Sequence, residues 1–215
     1  GSKWFFRRGV GDGKEGERKN VELMRSLREA SGPDMQVMID AWANWGVPYT
    51  LRMANLLKEY EPAWIEEPVQ YPLHDSYLQL KCESPIPIAG GEHEFTRWGV
   101  KALLDQDILD IYQFEPVWAG GISELMKIGA LVSSYDATFI PHVYVPAASA
   151  QIAFTLNAMT TPMLEYHYIL GEIYQFFLEE PTKPKQGYFY PPEAPGIGIT
   201  IDEEKVQTEK QLTFS

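Results

Sequence analysis

The stretch Ala63-Trp64-Ile65-Glu66-Glu67-Pro68 joins three residues typical of a buried strand to two carboxylates, and a proline ends it. The pattern occurs 26 residues earlier, where Val37-Met38-Ile39 leads to Asp40, and 26 residues later, where Ile86-Pro87-Ile88-Ala89-Gly90-Gly91 leads to Glu92. Burying such acids costs free energy unless a cation meets their charge. Three strands that each end in an acid, one βα unit apart, indicate the rim of a β/α barrel and a metal site on it.

Composition places the chain among globular proteins. Its 215 residues are 45% hydrophobic and 22% charged, which suits one large domain with a core. The formal net charge of −12 argues against a nucleic acid or an anionic membrane surface as partner. The single cysteine, Cys82, excludes an intrachain disulfide, and the sequence shows neither a signal peptide nor an apolar run of about 18 residues. These features predict a cytoplasmic protein.

Strands and helices are predicted to alternate along the chain. The seven predicted strands are 3–6, 36–39, 63–65, 86–89, 108–113, 138–140 and 163–164. The six predicted helices are 17–30, 50–60, 75–82, 97–105, 122–134 and 146–158, with a Gly-rich loop at 9–16. Consecutive βα units and acids at the strand ends favour an α/β fold of the TIM-type (β/α) barrel. A doubly wound open sheet is the alternative, although its phosphate loop would have to be 9–13, which lacks the hydrophobic context.

The composition changes near Gly171. Residues 180–195 are rich in proline, and residues 196–201 alternate like a strand. We therefore expect a barrel domain over residues 1–170. Residues 171–215 are expected to form an extended C-terminal tail that packs on the barrel or on a neighbouring domain.

The recurring acids predict a specific chemistry. Asp40, Glu66 and Glu92 offer three oxygen donors, which suit a hard divalent ion such as Mg²⁺. A single acid of this kind would more often cap the following helix or pair with arginine. The repetition at 26-residue spacing favours the metal site over that alternative.

Three later residues continue the series of strand ends, namely Glu115, His142 and Glu165. A lone histidine is more often structural than catalytic. Here a carboxylate on the preceding strand can fix the imidazole tautomer and raise the basicity of the other ring nitrogen. The spacing therefore makes His142 a candidate general base with Glu115 as its partner, and Glu165 a candidate acid or counter-charge for the substrate.

Six motifs together resemble a known family: Gly13-Lys14-Glu15-Gly16, Met38-Ile39-Asp40-Ala41-Trp42, Trp64-Ile65-Glu66-Glu67, Gly91-Glu92-His93-Glu94 with Thr96-Arg97-Trp98, Trp118 with Gly120-Gly121, and Pro141-His142. From about residue 3 to residue 206 the chain resembles the enolase superfamily, in its mandelate racemase-like group. Within that group it is similar to acid-sugar dehydratases of the L-rhamnonate type.

The resemblance implies a set of roles. It implies Mg²⁺ on Asp40, Glu66 and Glu92, with His142 as the base, since enzymes of this superfamily use a lysine or histidine base together with Mg²⁺. It implies a small-molecule sugar acid as the partner, with His93 and Arg97 as substrate-binding residues. The implied reaction is abstraction of the α-proton followed by loss of the 3-hydroxyl as water, giving a 2-keto-3-deoxy acid.

Departures from the family pattern define what else is expected. Glu115 stands where the family usually has aspartate, and Lys3-Trp4-Phe5 places phenylalanine where racemases carry a second lysine, which favours dehydration over racemisation. The family's N-terminal capping domain and first barrel strand are not found before Lys3. We therefore expect a barrel that is open at this seam, or covered there by the tail or by another subunit, together with a homo-oligomer and poor turnover. A catalytically impaired barrel fragment, and a racemase or cycloisomerase of the same superfamily, remain alternatives.

Overall fold

The structure is a computed structural model that describes residues 1–208. In this part of the chain the six strands are β1 (Ser2–Phe5), β2 (Val37–Asp40), β3 (Ile65–Glu66), β4 (Ile88–Gly90), β5 (Ile111–Tyr112) and β6 (Thr138–Phe139). The helices are α1 (Gly13–Ser31), α2 (Val47–Leu57), α3 (His74–Glu83), α4 (Thr96–Gln106), α5 (Pro116–Ala119), α6 (Ile122–Ser134), α7 (Pro146–Thr155) and α8 (Leu170–Tyr174). All strand pairs are parallel and follow sequence order from β1 to β6, so each βα unit adds one strand beside the last.

The helices form because their apolar residues recur at helical spacing and face the sheet. In α1, Met24 is fully buried, and Val21 and Leu27 pack against the same core. Gly32 ends this helix with a positive φ of 76°, and its N–H donates to the carbonyl of Arg28 at 3.0 Å. The helical layer therefore covers the outer face of the sheet.

Alternation along the strands separates two apolar clusters. Ile39, Ile65 and Ile88 belong to the large core between the sheet and the helices. Met38 and Trp64 belong to a small cluster on the opposite face, which also contains Ala89 and Ile140. Because side chains alternate with period two, the residues two positions after Met38 and Trp64 also face this inner side. Those residues are the acids Asp40 and Glu66.

Contacts across the inner face show that the sheet is curved. Lys3 on β1 lies 2.8 Å from Glu165, which follows β6 and α7, and the rings of Phe5 and His167 have centroids 6.1 Å apart. A flat sheet would separate β1 from β6 by about five spacings of ~4.8 Å, or roughly 24 Å. The predicted barrel-type α/β fold is therefore confirmed, and the open doubly wound alternative is wrong.

The predicted strand at 163–164 is wrong. The amide of Phe139 donates to the carbonyl of Thr160 at 2.7 Å, but no strand is formed beyond that point in the described chain. Met163 instead packs its side chain on the inner cluster. This single backbone hydrogen bond is not followed by the further bonds of a parallel ladder. The segment has therefore left the sheet before Met163. The predicted loop at 9–16 is also shorter than expected, since α1 already begins at Gly13.

The C-terminal tail is folded by local hydrogen bonds. The buried amide of Gln175 bonds Gly171 and Thr182, which ties α8 to the chain that follows. The predicted strand at 196–201 is wrong, because Gly196 and Gly198 have positive φ and only Ile201 forms an isolated bridge. The tail assignment beyond residue 208 lies outside the described residues.

The positions of the core residues in the sequence are relevant to the proposed division into a barrel domain and a tail. The buried residues of the large core all precede Leu156. This distribution supports our proposal of a barrel domain over residues 1–170, followed by a C-terminal tail from Gly171 that packs on the barrel or on a neighbouring domain. Within residues 1–208, none of the helices combines the length and the apolar character needed to cross a bilayer.

Candidate active site

Three strand-end carboxylates lie together at the carboxyl edge of the sheet. Asp40 is the last residue of β2 and pairs in register with Glu66, the last residue of β3. Glu92 follows β4 by two residues, after the left-handed turn at Gly91. All three side chains are buried. The parallel register thus brings the acids of three successive βα units to one edge, as their sequence spacing predicts.

A lysine to which the sequence pattern assigns no role lies among these acids. Lys3 on β1 faces the inner side, and its Nζ is 3.4 Å from Asp40 Oδ2 and 2.8 Å from Glu165 Oε1. The same ammonium contacts Glu66 Oε1. Burial alone would lower the pKa of Lys3, but the charges of Glu165, Glu66 and Asp40 raise it well above its ordinary value. Lys3 is therefore charged, and its ammonium lies directly against Asp40, Glu66 and Glu165.

The remaining carboxylate charge is only partly balanced. Burial, together with the charge of Glu66, raises the pKa of Asp40 to about 8 although Lys3 opposes the shift. Burial raises the pKa of Glu92 to about 7, against the opposing charge of His142. Burial would also raise the pKa of Glu165, but Lys3 and His142 hold it below its ordinary value. A further cation would stabilise the ionised form of acids whose ionisation is opposed in this way.

His142 and Glu115 form a buried pair. His142 Nδ1 lies 3.0 Å from Glu115 Oε2, and the other nitrogen, Nε2, lies 3.1 Å from Glu92 Oε2. Glu115 also accepts the backbone N–H groups of Val117 and Tyr144, each at 2.9 Å. Burial would lower the pKa of His142, but the hydrogen bond to Glu115 and the charges of Glu165 and Glu92 raise it to about 9. The extra methylene of Glu115 therefore does not prevent its contact with the imidazole.

A second acidic group lies beside the first. His93 Nδ1 is 2.9 Å from Glu67 Oε2, and this bond raises the pKa of His93. Within residues 1–208, the acids and histidines whose candidate ligand atoms all lie within 4.8 Å of one another are Glu67, Glu92 and His93. Glu92 is thus turned toward the two histidines rather than toward Asp40 and Glu66. The sequence places Glu67 next to Glu66 but gives no signal for its bond to His93.

Aromatic side chains surround His93. Its ring stacks on Tyr71 at a centroid distance of 5.4 Å and meets Trp118 edge-on at 5.5 Å. A cavity of about 290 Å³ opens here and is lined by Trp42, Ala43, Glu67, Gln70, Tyr71 and His93. His93 therefore lies at the border between the buried carboxylates and an open space that a small molecule can enter.

Arg97, the other residue expected to contact substrate, is placed elsewhere. Its Nε and its backbone N–H both bond Glu124 Oε1, at 2.8 and 3.0 Å, and its guanidinium lies over the ring of Trp98. The positive φ of Thr96 starts α4 in a direction that brings Arg97 to α6. Arg97 therefore joins two helices in this structure and does not contact the carboxylate cluster.

Gln113 is a site residue that the sequence pattern did not single out. Its Nε2 donates to Glu66 Oε2 at 2.9 Å, and the indole N–H of Trp64 reaches the same oxygen at 3.3 Å. Both donors are buried. They fix one oxygen of Glu66 and leave the other facing Lys3. Gln113 lies two positions before Glu115, so inward-facing alternation along β5 is the signal that could have identified it.

The donors present fit a hard divalent ion. Asp40, Glu66 and Glu92 supply carboxylate oxygens from adjacent strand ends, and Oε2 of Glu165 is buried with no hydrogen-bond partner in the described part of the chain. Oxygen donors with excess negative charge are the set that Mg²⁺ prefers, rather than that of a thiolate-bound metal. In the present arrangement Glu92 would have to turn away from His142 to join Asp40 and Glu66.

Comparisons with known proteins identify the family that the chain matches. A match to the enolase C-terminal domain-like family covers residues 6–205. The chain is 34% identical over 213 residues to the L-rhamnonate dehydratase of Saccharopolyspora erythraea, a match that covers 95% of this chain and 54% of that protein. It is 30% identical over 201 residues to the D-galactarolactone cycloisomerase of Agrobacterium fabrum, covering 88% of this chain and 53% of that protein.

A solved structure gives the same comparison in three dimensions. The rhamnonate dehydratase from Gibberella zeae complexed with Mg is similar at a TM-score of 0.79 and 32% identity, over 90% of this chain and 49% of that chain. The chain thus spans about half the length of the curated relatives it matches.

Proposed function

The chain belongs to the enolase C-terminal domain-like family, and we propose that it acts in the Mg²⁺-dependent dehydration of a sugar acid to a 2-keto-3-deoxy acid. The observation that carries this proposal is the buried His142–Glu115 pair, held at 3.0 Å beside three buried strand-end carboxylates. An imidazole fixed in this way next to a cation site is suited to removing a proton from a carbon adjacent to a carboxylate. The L-rhamnonate dehydratase among the relatives supports the same class of reaction.

Asp40, Glu66 and Glu92 are the residues we propose as ligands of Mg²⁺. Such an ion supplies positive charge against the substrate carboxylate, which makes the neighbouring C–H more acidic. Gln113 and Trp64 hold one oxygen of Glu66, so that carboxylate is already oriented. The Gibberella zeae structure complexed with Mg supports the choice of ion.

We propose His142 as the base. In its neutral form, Nε2 on the cluster side accepts the α-proton, while Nδ1–H stays bonded to Glu115 and the resulting imidazolium is stabilised by that carboxylate. The C–O bond to the 3-hydroxyl then breaks, and an acid on the same face supplies the proton that leaves with it as water. Glu165, which bonds Lys3, balances charge on this face.

His93 is the residue we propose to contact the distal part of the substrate, since it lies between the carboxylates and the cavity. Arg97 is not proposed for that role, because Glu124 already binds it.

A cycloisomerase is the second candidate function, supported by the Agrobacterium fabrum relative of that name. The two candidates differ in their products, since a dehydratase releases water whereas a cycloisomerase yields an isomer of its substrate.

The test is proton NMR in D₂O of a panel of sugar acids that includes L-rhamnonate. We expect Mg²⁺-dependent exchange of the α-proton and formation of a 2-keto-3-deoxy acid, with both lost in EDTA. His142→Asn is expected to abolish exchange, whereas the matched control His74→Asn on α3 retains it. Conversion of a sugar-acid lactone to an isomer, without loss of water, would favour the cycloisomerase. Native-rate exchange by His142→Asn would exclude His142 as the base.

A further inference from the structure

We propose that Lys3 is a resident counter-cation that holds Asp40 and Glu66 in the absence of a divalent ion, and that the ion must displace it onto Glu165. This inference rests on the proposed metal site. The proposed dehydration gives Lys3 no role in the reaction. The present inference gives Lys3 a measurable effect on the affinity for the metal ion.

The position of Lys3 is the first argument. Its side chain is only 16% exposed, and its ammonium lies 3.4 Å from Asp40 and in contact with Glu66. These are two of the three proposed ligands of Mg²⁺. An ion bound to both would lie within a few ångströms of this ammonium, where two cations repel each other strongly in a poorly solvated site. Lys3 and the ion therefore compete for the same oxygens.

Glu165 provides the place to which Lys3 can move. Its Oε1 already accepts from Lys3 at 2.8 Å, while its Oε2 is buried and has no hydrogen-bond partner among residues 1–208. A buried carboxylate oxygen without a donor costs free energy, so a second contact with the ammonium there is favourable. The flexible four-carbon stem of lysine permits a small shift from Asp40 and Glu66 toward this oxygen. The orphaned oxygen is thus explained as the second half of a two-position site for Lys3.

Lys3 also accounts for the stability of the metal-free arrangement. Asp40, Glu66 and Glu165 come from three different places in the chain, and all three are bonded to this one ammonium. Without a cation, these buried carboxylates would repel one another. Lys3 keeps them assembled, and the cost of displacing it lowers the apparent affinity for the ion.

Two variants of the 215-residue chain test the proposal, and they are expected to change the Kd in opposite directions. Isothermal titration with MgCl₂ is expected to show a Kd at least ten-fold lower for Lys3→Met, because the competing charge is gone. Glu165→Gln is expected to raise the Kd, because the displaced ammonium loses its carboxylate. Lys101→Met removes an exposed lysine on α4 that pairs with Asp105, and it should match the wild type. Lys3→Arg, which keeps the charge, should not bind more tightly.

The outcomes separate this inference from the proposed function. If the wild type binds Mg²⁺ and Lys3→Met binds equally or more weakly, the counter-cation role is excluded while the metal site stands. If the wild type shows no binding, the proposed metal site fails as a functional site. In that case binding by Lys3→Met alone would support the competition, and its absence would overturn it. Should Lys3→Met not fold, a Kd for Glu165→Gln at or below that of the wild type would overturn the proposal by itself.

Discussion

The carboxylate of Glu115 accepts three hydrogen bonds within the site. One oxygen accepts the N–H of Val117 and caps α5, and the other accepts both Tyr144 N–H and His142 Nδ1. Three donors from two segments therefore fix one carboxylate. The added methylene lets the residue reach the imidazole while its other oxygen stays at the helix start. The substitution that distinguishes this chain from the family pattern is thus built into the local structure.

Replacement of this carboxylate by an amide should change the titration of His142. We expect His142 in the EDTA-treated chain to titrate with a pKa of about 9, and Glu115→Gln to lower that pKa by at least ~1 unit. The measurement is NMR of the imidazole carbon-bound protons against pH, with the exposed Glu59→Gln as control. An unchanged titration of His142 in Glu115→Gln would show that Glu115 does not hold the imidazolium.

The sign of the stability effect follows from the same shift. Since the pKa of His142 is raised on folding, its contribution to stability is complete below the unfolded-state value of about 6.5. That contribution is lost as pH rises through about 9. Glu115→Gln should therefore lower the free energy of unfolding more at pH 6 than at high pH, which urea titrations at several pH values will show.

The loops after β2 and β4, next to Asp40 and Glu92, contain residues with positive φ angles. Trp42 and Ala43 have φ values of 43° and 54°, and this turn is held by Trp42 N–H on Asp40 and Ala43 N–H on the carbonyl of Glu67. Gly91 has a φ of 105°, and Glu92 follows it directly. Non-glycine residues rarely adopt such angles unless the surrounding structure imposes them. The strain lies at the rim, where it directs functional side chains.

Gly91→Ala tests this placement. An added Cβ would lie 3.0 Å from the ring of Phe114, at a φ that side chains rarely adopt. We expect a loss of about 1–3 kcal/mol in the free energy of unfolding and weaker Mg²⁺ binding, because Glu92 is displaced. Gly11→Ala, where a Cβ meets no atom within 4 Å, should change stability by less than about 0.5 kcal/mol. Equal stability of the two variants in urea would contradict this account of the turn.

Across the molecule, each strand pairs with its neighbours in sequence, and β1 and β6 are the outer strands of the described sheet. On β1, an outer strand of the described sheet, Trp4 is 48% exposed. An exposed aromatic side chain at this position offers a surface on which a second copy of the chain can pack. Our proposal of a homo-oligomer rests on this side chain, rather than on the net charge.

Sedimentation velocity over a range of concentrations tests that proposal. We expect the wild type to self-associate and Trp4→Lys to stay largely monomeric, because burying a lysine charge in such a contact costs free energy. Trp98→Lys, which alters a tryptophan 72% exposed on α4, is the matched control and should behave as the wild type does. A wild type that is monomeric at every concentration would overturn the proposal.

The sequence predicted the carboxylate rim better than its details. Asp40, Glu66 and Glu92 could be placed because apolar strands and a constant spacing determine where parallel strands end. Lys3 could not be placed among them, since that requires the register between β1 and β2. The directions of Arg97 and Glu92 depend on loop angles, which hydrophobic periodicity does not encode. The prediction of a strand at 163–164 was wrong for a similar reason. Two apolar residues do not show whether a neighbouring strand forms hydrogen bonds with them.

Because Lys3 lies on β1, an outer strand of the described sheet, its contacts in the site depend on local opening of that strand. An edge strand with one neighbour opens locally at a lower free energy than the strands inside a sheet, and its amides exchange with solvent sooner. Each opening of β1 withdraws the ammonium from Asp40, Glu66 and Glu165 together. Local opening of β1 is thus a second way, beside displacement by an ion, in which these oxygens lose their contact with the ammonium. Local opening of the four residues Ser2–Phe5 thereby changes, for as long as it lasts, the net charge around these carboxylates.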